Sequence, residues 1–565
     1  MKKNSITKEA RAVVSSEQVL KGWDYPLFIL LTGLSSASIL YFMGYWFSFK
    51  DWQYYPGTFF ILTFILTVKL SINQFRWFLL LCMRRPRPLA ARSGWNVGVA
   101  TSFVPTAEPL AMLEETVRAL VALDYPHDTW VLDEGDDDQV KALCLRLGAH
   151  HFSRKNLPHY QQETGLFQSY SKHGNYNAWL HEIGFNRYEI ITAFDPDHVP
   201  NSAFISSVLG YFEDPKIGYV QAAQVYYNQK ASFIARGAAE ETYAFFSATQ
   251  MASYAMGYPI ITGSHNTHRA SALKQVGGFA SHDADDLLIT LLYRVSGWQG
   301  VYVPEILAKG LTPVDWIGYL TQQTRWARSI LDIKFRIYPK LARNLPFQER
   351  VMSFLHGFSY LQGGLITFVG IILIAFMIAT GITPGVVTNQ TALNLIALYA
   401  ILQLCNFYRQ RFYLDRRSEW GLHWRAGLLQ HAKWPYLLLA IRDVIWDRRV
   451  PYTLTHKVRA KSQRYMLLWP HALVITLICI AWIIGMVLGH IGHPLLYLLA
   501  AVIVISSLAL ILTERLSFSD PYDKSLLPRK SVADNRALHL IESEPAIAHS
   551  NDSATQVAAL SAESE

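Results

Sequence analysis

The chain has 565 residues, 51% of them hydrophobic and only 17% charged, where soluble domains carry roughly 25% charged residues. The deficit is concentrated near the N-terminus and in the last third, in apolar runs of about 20 residues that fit a bilayer core. This argues against a purely soluble enzyme and excludes a disordered or disulfide-built protein. The net charge of +8 and the pI of about 9.0 fit basic membrane flanks better than a nucleic-acid stripe, because the basic residues cluster beside the apolar runs. No nucleic-acid partner is expected.

Residues 1–24 are polar and basic, with Lys2, Lys3, Lys8, Arg11 and Lys21. Residues 26–47 carry no charge, and as a helix they would span about 33 Å. No A-x-A site follows, so they read as an anchor and not a cleaved signal. A second apolar run, 58–82, contains Lys69, Asn73 and Arg76. These are costly in lipid, and they line a polar path, pair with other helices or snorkel outward. Arg84, Arg85, Arg87 and Arg92 follow and place this flank in the cytoplasm. Cys82, Cys144, Cys405 and Cys479 form no CxxC pair and suggest neither a disulfide framework nor a zinc site.

Residues 95–345 alternate strand-like and helical runs. WNVGVATSFVP, TWVLDEG, YEIITAFDPD and IGYVQAAQVYYN read as strands; PLAMLEETVRALVAL, KHGNYNAWLHEI and DDLLITLLYRVSGW read as helices. The alternation predicts an α/β domain with a mainly parallel sheet, whose ligands sit outside the C-terminal strand ends. Two acidic clusters fall at such ends. From 346 the chain is membrane-like again, with spans predicted at 361–381, 391–408, 466–488 and 495–513. The basic segment 409–464 is assigned to the cytoplasmic side, and its Trp- and Leu-rich part, like 314–345, to the membrane interface. The tail from 516 is polar and expected to be disordered. The expected domains are therefore a cytoplasmic segment 1–24, two membrane helices in 25–83, a cytoplasmic catalytic domain 90–345, membrane and interfacial helices in 346–515, and a tail 516–565.

Each polar cluster has a plain reading and a chemical one. Asp195-Pro196-Asp197 either caps a strand end or shares a hard divalent cation. Asp133-Glu134-Gly135 is a turn or a base- and ribose-binding edge. Lys172-His173-Gly174-Asn175 is a helix start or a diphosphate contact. Asp285 and Asp286 cap a helix, or one of them accepts a proton from an attacking hydroxyl. Gln322, Arg325 and Trp326 anchor a helix at the membrane, or clamp a phosphate and stack on a sugar.

The order and spacing of these clusters between membrane segments resemble the processive family 2 glycosyltransferases, and within them the bacterial cellulose synthase catalytic subunits, over about 90–515. The resemblance implies an integral membrane α-helical protein with an inserted cytoplasmic α/β, GT-A-like domain, in the inner membrane. PTAEP is similar to the nucleotide loop PTYNEP, one residue shorter, with Thr106 and Glu108 in matching places. Asp133 matches the first acid of DDG, which contacts uridine, and Glu134 replaces the second. Lys172 and Asn175 match KAGNxN, near the nucleotide. Asp195 and Asp197 match the DxD that holds Mg²⁺ or Mn²⁺, and His198 follows it as in the family. GSHNTHR is similar to the acceptor-side loop, which assigns Ser264 and His265 to the acceptor. Asp286 matches the catalytic base of TED, with Asp285 where Glu is usual and Ala284 where Thr is usual. Gln322, Arg325 and Trp326 match QxxRW, Trp326 on the acceptor side. Tyr452, Thr455 and Lys457 match the FxVTxK gating loop.

The implied partners are a UDP-sugar donor, UDP-glucose before UDP-N-acetylglucosamine, a growing polysaccharide acceptor, the lipid bilayer and a periplasmic accessory subunit. The implied activity is inverting polymerisation of a β-linked, cellulose-like glucan with translocation. The alternatives are a non-processive enzyme making a lipid-linked sugar, and a chitin-, PNAG- or hyaluronan-type synthase. No PilZ-like segment follows the last span, so built-in cyclic di-GMP control is not expected.

Overall fold

The computed structural model describes residues 14–448, 450 and 466–516. The gating-loop residues Tyr452, Thr455 and Lys457 and the tail lie outside the described residues.

A short strand β1 (Ser16–Gln18) pairs antiparallel with β2 (Arg84–Pro86), which follows the second long apolar helix. The pairing ties the chain start to the entry of the α/β domain. The Arg85 guanidinium donates to Glu17 at 2.6 Å across it. Three residues of mixed polarity carry no period, so this ribbon was invisible in the sequence.

The α/β domain holds β3 (Val97–Phe103), β4 (Asp128–Asp133), β5 (His150–Phe152), β6 (Ile190–Phe194), β7 (Val199–Pro200), β8 (Ile217–Tyr226), β9 (Asn266–Arg269) and β10 (Gln299–Gly310). They form one sheet in the order β5-β4-β3-β6-β9-β8-β10-β7. β3, β4, β5 and β6 are mutually parallel, as are β8 and β10. The near-continuous apolar runs of β3, β6 and β8 reflect burial on both faces. Leu113, Val117, Leu143 and Val140 from two helices cover Phe103 and Val131 of the sheet.

The sheet is mainly parallel, as expected, but not wholly so. β9 runs antiparallel to both β6 and β8, and β7 runs antiparallel to β10, so the sheet is mixed. β9 has the sequence Asn-Thr-His-Arg, with no apolar alternation to announce a strand. Its polar side chains are satisfied inside the sheet instead: Thr267 meets Thr192 at 3.1 Å, and His268 bridges Tyr293 and Asn266 at 2.9 and 2.7 Å.

Six helices among the described residues are long and apolar enough to cross a membrane: Asp24–Ser48, Pro56–Cys82, Phe358–Thr380, Asn389–Phe412, Trp469–Val487 and Pro494–Glu514. They coincide with the six predicted spans, and the domain sits between the second and third. Helix Trp316–Asp332, which carries QxxRW, lies against helix Trp434–Ile445 through Ala327, Leu437 and Ala440. Gly363 and Gly364 let the third span approach the same helix Trp434–Ile445 closely. A Cβ on Gly364 would lie 3.2 Å from Ile441 Cδ1 and Leu437 Cβ. These two amphipathic segments are thus packed between the catalytic domain and the bundle, where their apolar faces meet protein.

Candidate active site

The parallel strands β3, β4 and β6 end side by side, with Phe103 opposite Asp133 and Thr101 opposite Phe194. Whatever follows each strand therefore opens onto one edge of the sheet. Those continuations are the loop 104–109, the turn 133–137 and Asp195-Pro196-Asp197.

The turn after β4 is built on its own acids. The buried Asp133 carboxylate accepts from the Gly135 and Asp137 amides at 2.8 and 2.6 Å, and His151 Nε2 lies 3.1 Å away. Glu134 meets the fully buried Arg154 in a two-pronged pair, 3.0 and 2.7 Å. Arg154 also donates to the carbonyls of Tyr160, Phe167 and Gln168 at 3.1, 3.1 and 2.9 Å, gathering that segment beneath the turn. Sequence reasoning passed over Arg154, which sits in a polar stretch with no periodicity. Pro105 packs on Gly135, where a Cβ would fall 2.7 Å from its ring, so the nucleotide-side loop and this turn abut. In that loop Thr106 is exposed, and Glu108 accepts from the Val104 amide at 2.8 Å.

Lys172 opens helix Lys172–Trp179. Its ammonium donates to Asp195 Oδ1 at 2.6 Å and to the Gly263 carbonyl. Three residues on, Asn175 donates to the Leu132 carbonyl at 2.9 Å, while its buried side-chain oxygen has no protein partner. Asn177 is a brace: it pins both the Leu166 and the Phe279 carbonyls and accepts from the Phe279 amide at 2.8 Å.

One donor atom each from Asp195, Asp197 and His198 lies within 4.8 Å of the others. Gln224 Nε2 donates to His198 Nε2 at 3.0 Å, which leaves His198 Nδ1–H to donate to Asp197 Oδ1 at 3.0 Å. Both ring nitrogens are thus used in orienting Asp197, and the carboxylates of Asp195 and Asp197 remain as the oxygen donors that a hard divalent ion takes. The donor set fits Mg²⁺ or Mn²⁺. Gly310 makes room for this ring, since a Cβ there would fall 2.2 Å from His198 Nε2.

Ser264 and His265, expected on the acceptor side, are both fully buried. The Ser264 hydroxyl accepts from the Asp195 amide at 2.9 Å, and His265 Nε2 meets the Ala223 carbonyl at 3.1 Å. Ser264 thus braces the DxD turn and His265 is tied to β8, both beneath the surface. The residue that does face the site there is Gly263: a Cβ on it would stand 3.8 Å from both Asp195 Oδ2 and Asp286 Oδ2. The DxD and the second acidic pair therefore face one common space.

Asp285 and Asp286 begin helix Asp285–Val295. Asp286 Oδ1 accepts from the Leu287 amide at 2.7 Å, leaving Oδ2 toward Gly263. Burial, then the neighbouring Asp285 charge, pushes the Asp286 carboxyl up to about 7. Burial also raises Asp285, against the pull of Lys172. A carboxylate near neutral pKa suits proton abstraction.

Gln322, Arg325 and Trp326 are three and four residues apart on one helix, so they share a face. The far end of that helix is tied to the acidic pair. His282 Nδ1 accepts from the Ala284 amide at 3.0 Å, and its Nε2–H donates to Asp332 at 3.2 Å. Beside the helix, Lys433 meets both Glu241 oxygens at 3.0 and 3.1 Å and Gln323 at 2.9 Å, while Tyr319 donates to Glu241 at 2.9 Å. No motif signalled this buried cluster, because its members come from three distant helices.

Residues 99–329 match the family described as "Glycosyltransferase like family 2". Over those residues the α/β domain is similar to family 2 glycosyltransferases. Cellulose synthase 2 of Novacetimonas hansenii is 28% identical over 298 residues, 51% of this chain and 18% of that protein. The UDP-forming cellulose synthase catalytic subunit of Xanthomonas axonopodis pv. citri (strain 306) is 27% identical over 278 residues, 47% of this chain and 36% of that one. The matched segment thus spans well under half of these relatives. A mannosyltransferase from Pyrobaculum calidifontis, solved with GDP-Man and Mn²⁺, superposes at 16% identity with a TM-score of 0.43, covering 74% of this chain and 100% of that one. The mixed sheet lies in sequence between helices long and apolar enough to cross a membrane, and the chain resembles cellulose synthases.

Proposed function

We propose that the protein is a membrane-embedded, processive, inverting glycosyltransferase. It builds a β-linked, cellulose-like glucan from UDP-glucose and passes it across the inner membrane, with the catalytic domain on the cytoplasmic side. The observation that carries this reading is Gly263, where an added Cβ would stand 3.8 Å from both Asp195 Oδ2 and Asp286 Oδ2, so that the two acidic groups face one space. A donor diphosphate on one side and an acceptor hydroxyl on the other fit that space.

Asp195 and Asp197 would hold Mg²⁺ or Mn²⁺, which offsets the charge of the departing UDP when bound. Lys172 and Arg325 supply fixed positive charge to the same diphosphate. Asp286 Oδ2 takes the proton of the acceptor hydroxyl as that oxygen attacks the anomeric carbon. The bond from that carbon to the UDP oxygen breaks on the opposite face, so the configuration inverts in a single displacement. Trp326 stacks on the acceptor sugar and holds it in line. Support for processivity comes from the QxxRW helix, packed on one side against the catalytic domain and on the other against helices that lead into the bundle.

The test incubates membranes with Mn²⁺ and a panel of radiolabelled UDP-sugars, and digests the product with linkage-specific glycanases. A cellulase-sensitive polymer from UDP-glucose, absent with Asp286→Asn, is the expected result. A short glycolipid would replace this reading with a non-processive, lipid-linked product. A polymer made only from UDP-N-acetylglucosamine would replace the glucan with an amino-sugar polymer.

A further inference from the structure

The loop 104–109 reads Val-Pro-Thr-Ala-Glu-Pro and offers no aromatic ring beside the Asp133–Asp137 turn. One aromatic residue stands on the other side of that turn. Tyr170 lies two residues before Lys172, and its amide donates to Glu134 Oε1 at 3.0 Å. Its backbone has φ +56°, a left-handed conformation that a bulky side chain rarely adopts without a compensating role. Packing does not account for it, since Tyr170 is 87% exposed. The backbone, in contrast, is held from below: Arg154 grips Glu134, and its guanidinium also takes the carbonyls of Gln168 and Ser171 at 2.9 and 3.4 Å. A buried clamp thus holds the backbone of an exposed tyrosine between Glu134, which accepts from its amide, and Lys172 two residues on.

We propose that Tyr170 is a nucleotide-binding residue whose ring stacks on the base of the donor nucleotide. The inference rests on the UDP-sugar reading and deepens it. A flat, exposed ring fixed at its backbone pays little entropy on stacking, and base–aromatic stacking tolerates any base edge. Hydrogen-bonding selection would then fall to the turn 133–137.

The experiment measures binding of UDP–Mn²⁺ and of Mn²⁺–pyrophosphate, which has no base, to the detergent-solubilised full chain. It compares wild type, Tyr170→Phe and Tyr170→Ala. The expected result is equal UDP affinity for wild type and Y170F, about tenfold or greater weakening for Y170A, and unchanged pyrophosphate affinity in all three. UDP affinity of Y170A close to wild type would overturn the proposal, as would a parallel loss of pyrophosphate binding, which marks a structural role. Failure of the donor reading itself looks different: wild type would then bind pyrophosphate but no UDP, and both would fall.

Discussion

The ammonium of Lys172 sits 2.6 Å from Asp195 Oδ1 and also holds the Gly263 carbonyl. It occupies with one charge the place where a divalent ion bound to the DxD would bring two. On the proposed reading, this side chain exchanges Asp195 for a phosphate oxygen when nucleotide and metal enter. Lys172→Met is therefore expected to tighten Mn²⁺ binding in the absence of nucleotide, because the competing cation is gone. It should also reduce UDP-releasing turnover at least about a hundredfold, because a fixed charge on the leaving group is lost. Mn²⁺ titration by electron paramagnetic resonance and a UDP-release assay read the two opposite effects.

Gly263→Ala separates folding from function. The added methyl would make only ordinary contact, 3.8 Å from Asp195 Oδ2 and Asp286 Oδ2, so the melting temperature is expected to stay near wild type. The same methyl fills the gap that the reacting groups need. Misplacement of about 1 Å can cost about a hundredfold in rate, and a loss of that order is expected. Full activity in a folded G263A protein would show that the reaction takes place elsewhere.

The pH profile follows from the second acidic pair. Asp286 has a carboxyl pushed up to about 7, first by burial and then by Asp285. A proton acceptor must be ionised, so kcat/KM is expected to fall as pH drops below about 7. Asp285→Asn removes the neighbouring negative charge, lowers the Asp286 carboxyl and moves this acid limb to lower pH. The two groups titrate as a pair, so the shift of the limb is the quantity to compare. Asp286→Asn should lose about 10² to 10⁴ in turnover while retaining Mn²⁺ binding.

His198 acts through Asp197. With Gln224 donating to one ring nitrogen and Asp197 accepting from the other, the imidazole sets the angle of a carboxylate it does not replace. His198→Ala is expected to weaken apparent Mn²⁺ affinity about 10- to 100-fold, with turnover restored toward wild type at saturating Mn²⁺. A defect insensitive to Mn²⁺ concentration would contradict that role.

Lys433→Met strands a buried Glu241 carboxylate, leaving the Tyr319 hydroxyl at 2.9 Å but no cation. Breaking one side of a buried pair costs about 3–5 kcal/mol. The solubilised protein is expected to melt several degrees lower. Lys433→Met combined with Glu241→Gln should recover part of the loss, because the uncompensated charge is then gone.

The sequence by itself determined the six apolar helices, the strands β3, β4, β6 and β8, and the acidic ends of β4 and β6. All of these follow from local rules: run length for a bilayer, apolar runs for strands buried on both faces, and acids where a strand stops. Asp195, Asp197 and Asp286 were legible because each sits at an element boundary that the hydrophobic pattern marks. Only the tertiary structure decided how polar residues share work inside the fold. Ser264 and His265 are buried, Ser264 against the DxD turn and His265 against β8, where polar β9 slots antiparallel between β6 and β8. Arg154, Gln224, Glu241 and Lys433 carry no periodicity either. Their roles exist only where separated segments meet, and pairing across more than a hundred residues, as between Gln323 and Lys433, leaves no mark on the residues beside them.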